Sequence, residues 1–166
     1  MKIVDIFAVV EGSLYAAQFG EELNEFEKLR RNWQDAEFVK NYFEQRTTSL
    51  RYFHISLEEG QSKVLEESEG LFNRILKTAQ GKTKLDLDAI FRPLNDNEFA
   101  ITDFQKSKYK EYFFRIYAVR VDKNLYVISG GGIKLVKTMQ EDTDLTKELI
   151  KIECLRNYLI EQSLYE

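Results

Sequence analysis

The sequence predicts an α+β fold: an antiparallel sheet, built from an N-terminal hairpin and a C-terminal three-stranded meander, packed against helices. Three observations carry this. Apolar runs with strand period crowd residues 2–19 and 112–138, helical stripes fill most of the chain between and after them, and the two kinds of segment are segregated. With 166 residues, 43% of them hydrophobic and a single proline, the chain is long enough for a core and is read as one domain, residues 1–166.

Residues 2–10 and 13–19 flank Glu11-Gly12, where glycine supplies the positive φ of a tight turn, so a hairpin is expected first. From Glu21 the period changes. Leu23, Phe26, Leu29 and Trp33 recur at three-to-four spacing, as do Phe38, Val39, Tyr42 and Phe43, giving two short helices with Asp35 capping the second. Ser56-x-x-Glu59 is a capping box for a long helix from Leu57 to Ala79, ended by Gly81. Pro93 restricts Arg92, so LDLDAIFRPL reads as a helical turn and a connector in which Asp86 and Asp88 are solvated. A basic loop follows. Strands are then expected over 112–122, 125–129 and 133–138, with turns at Lys123-Asn124 and at the glycine run 130–132. Leu149, Ile152, Leu155 and Leu159 mark a last amphipathic helix from Leu145, capped by Thr143 or Asp144, and the helices are placed together on one face of the sheet.

Charge is segregated along the chain. Residues 104–138 hold eight Lys/Arg against two acids, a net +6 in a chain of formal charge −4, so the remaining residues sum to −10. Positive charge displayed by a sheet points first to a polyanionic partner. Alternation puts Arg115, Tyr117 and Val119 on one face of the 112–122 strand, and hairpin counting sets Arg115 opposite Gly132 or Gly131. Either register leaves an open trough beside the arginine, suited to a phosphate and a stacked base. The rival reading of the same residues is a strand bend with a solvated charged face.

The residues YFFRIYAVRVDKNLYVISGGGIKL resemble the core hairpin of the RelE/ParE/HigB toxin superfamily: an aromatic-Arg-Ile-Tyr-x-Val strand, a short turn, an apolar strand, glycine, then lysine. The resemblance covers about 35 residues, 104–138. It implies a small α+β toxin of a toxin-antitoxin pair, a metal-independent mRNA endoribonuclease acting on the ribosome and silenced by an antitoxin-like protein. By position it implies Arg115, Lys108, Lys110 and Lys134 as catalytic residues, with Lys134 or Lys137 filling one family position, and Lys106, Tyr117, Arg120 and Lys137 of the same basic segment are expected to bind the RNA. The chemistry would be attack of a ribose 2′-hydroxyl on its own phosphate, with fixed cations around the pentavalent oxyanion. A lysine serves as base only where crowding by other cations lowers its pKa; the sole histidine, His54, lies far off and reads as a packed or capping residue, and no tyrosine occurs between Tyr126 and Tyr158. The chain also carries more than ninety residues between the first strand and the core hairpin, more than compact toxins do.

One Cys and one His exclude the usual zinc clusters, so no metal and no cofactor is expected, and Cys154 is read as an inert thiol. No apolar span suits a bilayer, and the reading is cytoplasmic with no membrane partner. The competing function is a non-catalytic protein- or nucleic-acid-binding module that keeps the fold.

Overall fold

The computed structural model describes residues 2–52, 54–94, 105–111, 114–133 and 143–165. The chain opens with the expected hairpin, β1 (Ile3–Val10) and β2 (Leu14–Phe19), turned at Gly12 with φ 91°. Five helices follow: α1 (Glu25–Trp33), α2 (Ala36–Glu44), α3 (Thr47–Tyr52), α4 (Leu57–Ala79) and α5 (Leu87–Ile90). Asn24, Asp35 and Ser56 cap α1, α2 and α4, each side chain accepting from backbone N–H groups of the first turn. The bounds of α4 are those its capping residue and Gly81 predict, with Gly81 at φ 74°. Then come β3 (Arg92–Pro93), β4 (Gln105–Glu111), β5 (Phe114–Asp122), β6 (Leu125–Ile133) and α6 (Thr143–Tyr165).

The six strands form one sheet in the order β1-β2-β6-β5-β4-β3. It is mixed and not purely antiparallel, because β2 runs parallel to β6 through Leu14↔Tyr126, Tyr15↔Val127 and Ala16↔Ile128. The meander is also displaced from its expected place. The basic segment taken for a loop is β4, and β6 continues through the glycine run to Ile133 as a single strand. Residues 134–138, expected as the last strand, lie outside the described residues.

Helices cover both faces of the sheet, and this corrects the one-face arrangement. On one side Phe26, Leu29, Trp33, Val39, Phe43, Phe72 and Ile75 of α1, α2 and α4 pack on Leu14, Ala16, Phe114, Ile116 and Ile128. On the other, Ile152 and Leu155 of α6 pack on Ile3, Ala17, Tyr117, Val119 and Val127. The physical reason is visible in β5, whose alternate residues are apolar on both faces, as a strand buried on both sides requires. Trp33, 2% exposed, is a core residue stacked near Phe72 and Phe114.

Asp88 ties α5 to the β5–β6 turn. Its carboxylate accepts from Arg120 Nε, Tyr126 Oη and the Asn124 backbone N–H, each at 2.9 Å, so the aspartate read as solvated is a bonded one. Burial works to raise its pKa, but these three donors outweigh it and hold the carboxyl below the usual range.

Candidate functional site

Gly130-Gly131-Gly132 in β6 sets the local geometry. The ladder pairs Arg115 with Gly132, Ile116 with Gly131 and Tyr117 with Gly130, the first of the two registers the sequence allowed. Because Phe114 and Ile116 enter the larger core, Arg115 and Tyr117 project from the opposite face, where α6 lies. A side chain on Gly130 would overlap the Glu148 carboxylate and stand 2.7 Å from Lys151 Nζ; one on Gly131 would overlap the Arg115 carbonyl oxygen. One on Gly132 would meet none of the described atoms within 4 Å. Two glycines therefore admit close neighbours, and the third leaves a trough beside Arg115.

A cavity of about 510 Å³ opens over this trough, between α1, α2, the glycine end of β6 and the first turns of α6. Among the described lining residues Lys28, Arg46, Arg115, Lys147 and Lys151 stand against Glu25 and Glu148, a balance that favours an anion. Trp33, Phe38, Tyr42 and Ile133 supply apolar and aromatic wall. Tyr42 donates its hydroxyl hydrogen to the Ile133 carbonyl, and the Arg46 guanidinium lies 3.7 Å above the Tyr42 ring, which fixes that side. Arg115 donates Nη1 to the Phe114 carbonyl at 2.8 Å, and burial pulls its pKa down without threatening its charge.

The floor of the cavity holds a buried ionic cluster. Pairing of β2 with β6 stops at Ile128, although β2 runs to Phe19 and β6 to Ile133. Lys151 of α6 enters there: its ammonium lies 5.4 Å from the Phe19 ring, 2.8 Å from Glu25 Oε2 and 3.4 Å from Glu148 Oε1. Lys28 stands 3.9 Å from Glu25 Oε1 and is itself bonded to Glu22. Glu25 Oε1 and Glu148 Oε2 are buried and have no hydrogen-bond partner among the described residues. Burial raises the pKa of both acids; that of Glu148 is pushed up to about 7, with Lys151 opposing the rise and Glu25 adding to it. Burial and their mutual repulsion thus favour protonation of this pair well above the usual carboxylate range.

Of the eight residues singled out by sequence, Arg115 and Tyr117 line the cavity, Tyr117 at 4% exposure beneath α6. Lys106 and Lys108 share their face, opposite Val119 and Tyr117, but Lys106 Nζ is bonded to Glu153 of α6 at 2.6 Å. Lys108 is not among the described residues that line the chamber. Arg120 lies at the far end of β5 on Asp88. Lys110 pairs with Arg115 in the ladder, its side chain falling outside the described ones, and Lys134 and Lys137 lie outside the described residues altogether. Sequence reasoning missed Glu25, Lys28, Arg46, Lys147, Glu148 and Lys151. They sit on α1, α6 and just past α2, where a charged residue usually marks a solvated face.

Among the described residues no three His, Cys, Asp or Glu gather as a metal site, and no helix is long and apolar enough to cross a membrane. His54, at φ 54°, closes α3 by donating its N–H to the Arg51 carbonyl. No protein-family model matches this chain, and no curated protein or solved structure is similar enough to count as a match.

Proposed function

We propose that the chain is a RelE-like toxin-type protein whose cavity takes single-stranded RNA, holds a backbone phosphate on Arg115 and cuts the strand without a metal ion. One observation carries the reading: Arg115 stands beside the bare Gly132 in a chamber whose described lining has more cations than acids and an aromatic wall. A phosphate fits the trough, a guanidinium can bind it through two parallel donors, and Tyr42 or Phe38 offers a ring for the adjoining base. The activity would be that of an endoribonuclease acting on messenger RNA at the ribosome, with an antitoxin-like protein covering the cavity mouth.

Induced expression in a bacterial host tests it. The native chain is expected to arrest growth, and Arg115→Ala to relieve the arrest while folding normally by circular dichroism. In vitro, cleavage should persist in EDTA and be lost in Arg115→Ala. Equal growth with both chains, or cleavage that EDTA abolishes, would sink the nuclease reading.

A second reading has its own support. The strand face carrying Lys106, Lys108 and Tyr117 is largely covered by α6, which leaves a pocket in place of a long open groove. That arrangement suits a binding module that keeps the fold and grips an RNA end or an acidic protein segment without cutting. It predicts RNA retention by the native chain with no shortening of the strand.

A further inference from the structure

The RNA-cleaving reading lacks a group to take the proton from the attacking hydroxyl, and the basic strands offer only lysines and an arginine. Glu148 occupies a place from which it can act. Its carboxylate fills the space a side chain on Gly130 would take, while the trough over Gly132 is clear of described atoms. Gly130 and Gly132 are two residues apart on one strand and point to the same face, so carboxylate and trough are separated by about 7 Å. A ribose-phosphate unit spans such a distance. With its phosphate in the trough on Arg115, the sugar lies toward Glu148.

We propose that Glu148 is the proton acceptor of this site, taking the 2′-hydroxyl proton of the ribose whose phosphate Arg115 holds. The proposal rests on the RNA-cleaving reading above. The step balances without any further reactant. The 2′-oxygen bonds to phosphorus as its proton passes to the Glu148 carboxylate. The P–O5′ bond breaks, and the leaving oxygen takes a proton from the ammonium of Lys147, an exposed lysine that lines the same cavity. The products are a 2′,3′-cyclic phosphate and a 5′-hydroxyl, and exchange with water then restores both side chains.

The surroundings of Glu148 suit the task. Facing it are Lys151 from its own helix and Glu25 and Lys28 from α1, while Arg115 from β5, Arg46 just past α2 and Lys147 line the same chamber. Burial and the Glu25 carboxylate keep its proton affinity high, and Lys151 keeps it from rising further, so the acid is poised at about 7. A base matched to the working pH is the most effective kind. Glu25, 1% exposed and bonded to Lys151, is a positioning residue that maintains this environment.

The test compares the native chain with Glu148→Gln on two probes: a short RNA, and the same oligonucleotide with 2′-deoxy sugars, which binds but has no attacking hydroxyl. Glu148→Gln is expected to bind the deoxy probe as the native chain does. Single-turnover cleavage of the RNA should fall at least about 100-fold. The native rate should rise with pH to a plateau through a midpoint near 7, and this rise should vanish in the variant. Cleavage by the variant at the native rate, or loss of binding together with cleavage, overturns the role given to Glu148 and leaves the RNA reading standing. A native chain that binds but never cleaves overturns both. Should the variant fail to fold, a native rate that does not change between about pH 5 and 9 overturns the assignment by itself.

Discussion

Lys151→Met is expected to cost about 3–5 kcal/mol of stability at pH 7. Among the described residues this lysine is the one cation within hydrogen-bond distance of both Glu25 and Glu148, and Glu25 has almost no contact with water. Methionine keeps much of the volume and removes the charge, so two buried carboxyls lose their common partner. They can escape only by binding protons, which costs more as pH rises. Urea unfolding at pH 5 and pH 7.5 should therefore show a deficit that shrinks at the lower pH. The native chain follows the same logic. Glu148 and Glu25 have raised folded-state pKa values, so the folded protein holds more protons than the unfolded one; stability is greatest below about pH 4.5 for this pair and declines as pH rises toward 7. Combining Lys151→Met with Glu25→Gln and Glu148→Gln should recover much of the loss, since replacing every member of a buried ion cluster is far cheaper than removing one.

Gly131→Ala is expected to cost about 3 kcal/mol, or roughly 6–12 °C in melting temperature. The new methyl would overlap the Arg115 carbonyl oxygen and stand 3.0 Å from Leu29 Cδ1. A backbone atom cannot swing aside as a side chain can, so the β5–β6 ladder must part at Ile116↔Gly131 or α1 must lift from the sheet. In any ordinary strand position alanine would be no worse than glycine, whose backbone entropy weakens strands. A near-neutral melting shift would mean that the close approach of β5 and β6 at this point is not as described.

Local signals carried much of the fold. The first hairpin, α4 with its capping serine, the Asp35 cap and the turn at Asn124 each follow from residues adjacent in sequence, where sterics and hydrogen bonding act over a few bonds. What escaped was non-local. Parallel pairing of β2 with β6 joins segments more than a hundred residues apart and leaves no trace in either one's period. The apolar residues on both faces of β5 hinted that helices cover the sheet twice, yet which helix takes which face is written in neither the strand nor the helices. The glycine run misled because glycine serves both turns and close approaches, and here it serves the second.

The site divides in the same way. Arg115 opposite Gly132 was legible by counting through the hairpin. Glu25, Glu148 and Lys151 were not, since each belongs to a helix whose other charges are solvated and only the three-dimensional meeting of α1 with α6 buries them. Lys106 and Arg120, taken as RNA contacts from their strand positions, stand on Glu153 and Asp88, acids that lie on distant elements.

The central claim is that the trough over Gly132 receives RNA, and filling it tests this most directly. Gly132→Val puts a strand-favouring side chain where no described atom stands within 4 Å, so folding should be spared while the trough is blocked. Fluorescence anisotropy with a short single-stranded RNA is expected to show binding by the native chain and a loss of at least about tenfold in affinity, near 1.4 kcal/mol, in Gly132→Val at unchanged melting temperature. Equal affinity in the two chains would contradict the account and place any RNA elsewhere on the molecule.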